Sequence, residues 1–137
     1  MRTIHAVLAV VVGVMLAAPA AAHHSWQAEY DPKNVVELKG TVSKIDWTNP
    51  HVRIYLDVKD DKGAVATWDL ELQSVNTLVR AGWDRNSIKI GDVMTVSAWV
   101  SRDRPRRGNA RESITLADGR KIFAGERDRG ADEEVSR

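Results

Sequence analysis

Cysteine is absent from all 137 residues. No disulfide, thiolate metal centre or cysteine nucleophile is therefore open to this chain, and its stability has to come from packing. An excess of charge of either sign is missing as well: 20 Lys and Arg stand against 19 Asp and Glu. Arg2 is the only one of these charges in the first 22 residues, so the remainder balances at 19 against 19. A balanced chain lacks the broad positive field that neutralises phosphates, which argues against nucleic acid as a partner. Beyond the first 22 residues no apolar run is long enough to span a bilayer. The G-x-S-x-G elbow, the phosphate-binding P-loop, the H-E-x-x-H zinc helix and the glycine-rich dinucleotide turn are missing too. Serine and aspartate are so plentiful that a Ser-His-Asp set could be assembled only by free choice. Composition and motifs together read as a protein that binds rather than catalyses.

The start of the chain carries the clearest signal. Met1-Arg2-Thr3 leads into an apolar run from Ala6 to Leu16, which ends in Ala17-Ala18-Pro19-Ala20-Ala21-Ala22. A positive start, a short apolar core and a small-residue end make a secretory signal peptide over residues 1–22. The run is shorter than the ~20 residues of a spanning helix. The expectation is export, periplasmic or secreted, with cleavage after Ala20, Ala21 or Ala22. About 115 residues remain, enough for one domain around one core.

Residues 23–34 read as a polar lead-in that ends in the turn pair Asp31-Pro32. Residues 35–124 then alternate as strands. Val36, Leu38, Gly40 and Val42 share one face, and the apolar phase slips by one residue before Ile45 and Trp47, which predicts a bulge near Ser43-Lys44. Thr48-Asn49-Pro50 is a turn. Val52, Ile54, Leu56 and Val58 alternate in a second strand, Asp60 to Gly63 closes a hairpin, and Ala66, Trp68, Leu70 and Leu72 line a third. The period then changes: Ser74 is placed as an N-cap, Val75, Leu78 and Val79 follow helical spacing, and Gly82 is the stop. Met94, Val96, Ala98 and Val100 mark the fourth strand, residues 110–116 the fifth, and Ile122-Phe123 a short sixth. Residues 125–137 have nothing to bury and read as a disordered tail. Three strands with a bent first member, one short helix and then further strands predict a mainly β domain. Its form is a small OB-like Greek-key barrel of five or six strands with the helix between strands three and four.

His23 and His24 stand directly after the alanine-rich end. Cleavage after Ala22 frees the α-amine of His23, and that amine and its own imidazole form a bidentate nitrogen chelate. Cleavage one residue earlier makes His24 the third residue, so that the terminal amine, two backbone amides and an imidazole can lie in one plane. Either set ranks copper first among metals. A solvated lead-in would carry the same two histidines. His51 is the one other histidine after the signal peptide, and it could supply a third nitrogen if the N-terminal segment folds back. Its ordinary alternative is a strand-start histidine bonded to the preceding turn. Five tryptophans outnumber two tyrosines and one phenylalanine. Trp68 falls on an apolar face, whereas Trp99 falls on a polar one, where a barrel of this kind can stack on sugars or bases. Arg102, Arg104, Arg106 and Arg107 crowd one loop and could contact an anion, although a solvated loop has the same composition.

Several segments also occur together: His23-His24-Ser25, Leu38-Lys39-Gly40-Thr41-Val42, Trp47-Thr48-Asn49-Pro50-His51-Val52, Gly82-Trp83, Ile90-Gly91-Asp92 and Asp118-Gly119-Arg120-Lys121. This combination resembles a family of exported bacterial proteins of unknown function, with Trp-Thr-Asn-Pro-His as its most specific part. The resemblance covers nearly all of the chain to about Gly125, and Trp26 stands where the family usually has phenylalanine. It implies an exported single β domain and no activity. The expectation is an exported, non-enzymatic binding module for a small ligand, metal or protein, with copper at the processed N-terminal histidines. The alternative is a structural or adaptor domain that recognises a protein or glycan through the barrel face.

Overall fold

The computed structural model describes residues 26–110 and 113–124. The expected signal peptide over residues 1–22, His23, His24 and the expected tail over residues 125–137 lie outside the described residues. A single turn of helix, α1 (Trp26–Glu29), runs straight into a 17-residue strand, β1 (Tyr30–Asp46). β2 (Arg53–Lys59) and β3 (Val65–Glu71) form the hairpin expected around Asp60–Gly63. The short helix α2 (Val75–Arg80) follows, then β4 (Val93–Ser101), β5 (Arg107–Asn109), β6 (Ser113–Leu116) and β7 (Lys121–Phe123).

Five of these strands close a barrel in the order β1-β2-β3-β5-β4, with β4 returning to β1. All pairings are antiparallel except β3 with β5. β6 and β7 add a hairpin to β4 outside the closed circuit. This is the expected OB-like barrel, extended by two strands. Closure depends on β1 serving both sides. Its residues up to Thr41 pair with β4, those from Thr41 onward pair with β2, and the register shifts between Val42 and Lys44, where the apolar phase slips in the sequence. An extra residue there bends the strand and increases its twist, which a small barrel requires.

Gly40 sits at that changeover. A β-carbon on it would run into the backbone carbonyl of Asp57, which cannot swing aside as a side chain would. Gly40→Ala is therefore expected to destabilise the domain by about 1–3 kcal/mol, read from the urea midpoint, with the loss coming from overpacking. A midpoint equal to wild type would show that β1 and β2 can part locally without cost.

Alternation delivers the core. Ile54 and Leu56 of β2, Leu70 of β3, Met94, Val96 and Ala98 of β4 are all at most 1% exposed. Leu78 of α2 and Trp83 plug the same core. Ser74 caps α2 as expected, its hydroxyl accepting from the Thr77 amide at 3.3 Å, and Gly82 takes the left-handed conformation just past the helix. Trp68 is half-buried and packs against the core from its margin.

Two stretches differ from the expectation. The strand begins at Tyr30, so the second half of the supposed lead-in already pairs with β4: Tyr30 faces Ser101 and Asp31 faces Val100. A second register shift between Asp31 and Val35 absorbs Pro32, which has no amide hydrogen to give a ladder. The fifth strand is also displaced. The barrel is closed by Arg107–Asn109, which reads as the end of a charged loop, whereas the later segment forms β6, farther along the same edge of β4. Three residues are too few to show an alternation. Gly108 fits there because a side chain would press on Ala98 and Leu70.

Candidate functional site

The ends of β1, β2, β3 and β5 meet at one rim of the barrel. Alternation along β3 turns Leu70 and Leu72 inward and Glu71 outward, yet Glu71 is only 4% exposed. The cover comes from the N-terminal segment, which lays Tyr30 over it. The pairing of β2 with β3 continues past the strand ends, with Val52 N donating to Gln73 O and Leu72 N to Val52 O, so His51 is held beside Glu71. From the other side, Ala110 N and Asn109 Nδ2 both donate to the backbone carbonyl of Glu71, at 2.9 and 3.1 Å.

The Glu71 carboxylate is the hub of this rim. Its Oε2 accepts from the Tyr30 hydroxyl at 2.6 Å, from Arg107 at 2.8 Å and from Arg53 at 3.4 Å. Its Oε1 lies 2.7 Å from His51 Nδ1. Arg107 also donates to the Tyr30 oxygen at 3.2 Å and pairs with Glu29 at 3.2 Å, and Arg53 reaches Asp69 at 3.0 Å. Burial alone would raise the Glu71 pKa. The hydrogen bonds from Tyr30 and Arg107 and the charge of Arg53 outweigh it and hold the carboxyl below its ordinary range. Burial and the bond to Glu71 push the Tyr30 phenol the other way, upward. The Arg107 guanidinium is raised despite its burial, because Glu71 and Tyr30 favour its charged form.

This arrangement makes the domain acid-sensitive in a defined window. The folded chain gives Glu71 a lower pKa than the unfolded chain, whose value is near 4.5. The stability it contributes is complete above that value and is lost as pH falls below it. The melting temperature is expected to hold between about pH 7 and 5.5 and to drop below about pH 4.5, and Glu71→Gln should flatten that drop. An identical acid slope in the variant would exclude Glu71 as its source.

Above the hub lies an open cleft of about 340 Å³. It is lined by Trp26 and Glu29 of α1, by Thr48, Asn49, Pro50 and His51 of the β1–β2 loop, and by Arg53, Glu71 and Arg107. The Trp26 and His51 ring centroids are 4.7 Å apart, tilted by 45°. Asn49 also accepts from the Val75 amide at 3.3 Å, which ties the loop to α2. In barrels of this type ligands bind near the loop after the first strand and the one before the fifth, which is where the cleft lies.

The residues singled out in the sequence scatter around this cleft. His51 lines it, 27% exposed at its side chain, with Nδ1 engaged by Glu71. Among the described residues no three of His, Asp and Glu converge as a metal site, so the described part of the chain offers His51 alone. Arg107 lines the cleft as well. Arg102 is tied to the N-terminal segment through the Gln27 carbonyl at 3.1 Å and Asp31 at 3.4 Å. Arg104 and Arg106 are exposed in the turn before β5, and Trp99 is half-buried in β4 opposite Val35 and Asn109. Sequence reasoning missed Tyr30, Arg53 and Glu71. Tyr30 left one trace, as a large aromatic in an otherwise polar lead-in.

No curated protein and no solved structure matches the chain. A family model does, over residues 10–111, a stretch that holds both the His-His-Ser and the Trp-Thr-Asn-Pro-His segments. The chain belongs to that family, DUF6152, a family of unknown function.

Proposed function

We propose that this is an exported binding module whose site is the cleft beside His51, and that its ligand is Cu(II), held jointly by His51 and the processed N-terminus. One observation carries the reading: the Trp26 ring rests against the His51 ring. Trp26 is three residues from His23. A chain advances at most ~3.6 Å per residue, so the α-carbon of His23 is no more than roughly 11 Å from that of Trp26. Export would create, within reach of His51, a free amine that the precursor lacks. With cleavage after Ala22, the amine and imidazole of His23 take two adjacent positions around copper, and His51 adds a third nitrogen from a fixed direction. Nitrogen donors in such a set suit Cu(II). The barrel has already met the cost of ordering His51, so the intact protein has an advantage over a free peptide.

The test is internal. The mass of the periplasmic form should correspond to a chain that begins at His23. Cu(II) should bind that form at least about tenfold tighter than a free peptide covering His23 to Tyr30, which is ~1.4 kcal/mol. Equal affinities would mean that the terminus binds copper as any such peptide does, and the functional reading would fall. A chain found only as cytosolic precursor would remove the free amine and the reading with it.

A further inference from the structure

A histidine that meets a ligand through one nitrogen must have its proton on the other, and something has to keep it there. His51 Nδ1 lies 2.7 Å from Glu71 Oε1, while Nε2 has no hydrogen-bond partner among the described residues. Oε2 of the same carboxylate takes three donors, from Tyr30, Arg107 and Arg53. Those donors fix the plane of the carboxylate and leave Oε1 aimed at the imidazole. An oxygen so placed can only accept from His51, so the ring carries its proton on Nδ1 and presents the lone pair of Nε2 to the cleft. Two of the three donors also belong to the cover of the site. Tyr30 opens β1 directly after α1, and Arg107 spans from Glu71 to Glu29 of α1.

We propose that Glu71 is the positioning residue of this site: it selects Nε2 as the nitrogen of His51 that meets a ligand, and through Tyr30 and Arg107 it holds the N-terminal segment over the same cleft. The ligand named is the Cu(II) of the preceding section, so this assignment rests on that reading, but its primary readout needs no metal. Carboxylates that accept from the far nitrogen of a metal-bound histidine set its tautomer and its basicity, and losing one typically costs 10–100-fold in metal affinity. Glutamine in place of Glu71 can offer its amide nitrogen to His51, which removes the preference for a proton on Nδ1. Tyr30→Phe is the milder companion. It withdraws one donor from Oε2, keeps the ring and leaves both arginines in place.

The experiment is nitrogen-detected NMR of ¹⁵N-histidine-labelled mature protein without metal, in which the ¹⁵N shifts themselves identify the neutral ring and its protonated nitrogen. Copper titrations follow on the same samples. The expected result is a proton on Nδ1 of His51 in the wild type and in Tyr30→Phe. In Glu71→Gln the proton is redistributed toward Nε2, and Cu(II) affinity falls about 10–100-fold. A neutral wild-type ring with its proton on Nε2 overturns the assignment outright, even if no variant folds. A folded Glu71→Gln that keeps both the Nδ1 proton and the affinity overturns it as well. A wild type with the Nδ1 proton that ignores copper supports the orientation by Glu71 and defeats only the metal reading.

Discussion

Leu70→Ala is expected to lower the stability of the domain by about 3–5 kcal/mol, the upper part of the range for truncating a buried leucine. Leu70 has no exposed surface, and it stands where the barrel is hardest to close. On one side it pairs with Ile54 of β2, on the other with Gly108 of the three-residue strand β5. Gly108 already brings backbone close to the Leu70 side chain, so the surrounding structure has little slack with which to fill a cavity. Domains of this size are stable by only about 5–15 kcal/mol, so the loss is a large share of the total. Equilibrium urea unfolding measures it directly. A change below about 1 kcal/mol would mean that the β3–β5 junction is not part of the core.

Tyr30→Ala should cost nearly as much, about 3–4 kcal/mol, and for a different reason. The ring is fully buried, and its hydroxyl is one of the three donors on Glu71 Oε2. Truncation removes packing and also leaves Arg107 and Glu71 short of a partner. Tyr30→Phe keeps the packing and should cost less, about 1.5–3 kcal/mol, the typical loss for one hydrogen bond to a charged group. The difference between the two variants separates the ring from its hydroxyl. If Tyr30→Ala unfolds at the same urea concentration as wild type, the N-terminal segment is an appendage and not a wall of the cleft.

What the sequence made legible, and what it hid, follows from the range of the interactions. The faces of β1 to β4 could be read because each strand is long enough to alternate over four or more apolar positions, and one residue of slip before Ile45 was enough to mark the bulge. The helix could be read because Ser74 and Gly82 punctuate it locally. β5 could not, because three residues carry no period and its pairing with β3 is parallel and distant in the chain. Glu71 falls where an outward-facing polar residue belongs, and nothing local shows that Tyr30, 41 residues earlier, will cover it. Arg107 reads as one of four loop arginines, and only its partners, Glu29 and Glu71, set it apart from Arg104 and Arg106. Of the site, His51 was legible as a histidine beside a rigid turn, and its surroundings were not.

The central claim is that His51 and the processed N-terminus bind one copper ion together. Electron paramagnetic resonance of the mature protein with one equivalent of Cu(II) tests it most directly, because coordinated nitrogens split the copper signal. The comparison is between wild type and His51→Ala, a substitution at a half-exposed rim position that should leave the barrel folded. The wild type should show the splitting of three coordinated nitrogens. His51→Ala should show one nitrogen fewer and match the spectrum of the free N-terminal peptide. Identical spectra for wild type and His51→Ala would contradict the claim.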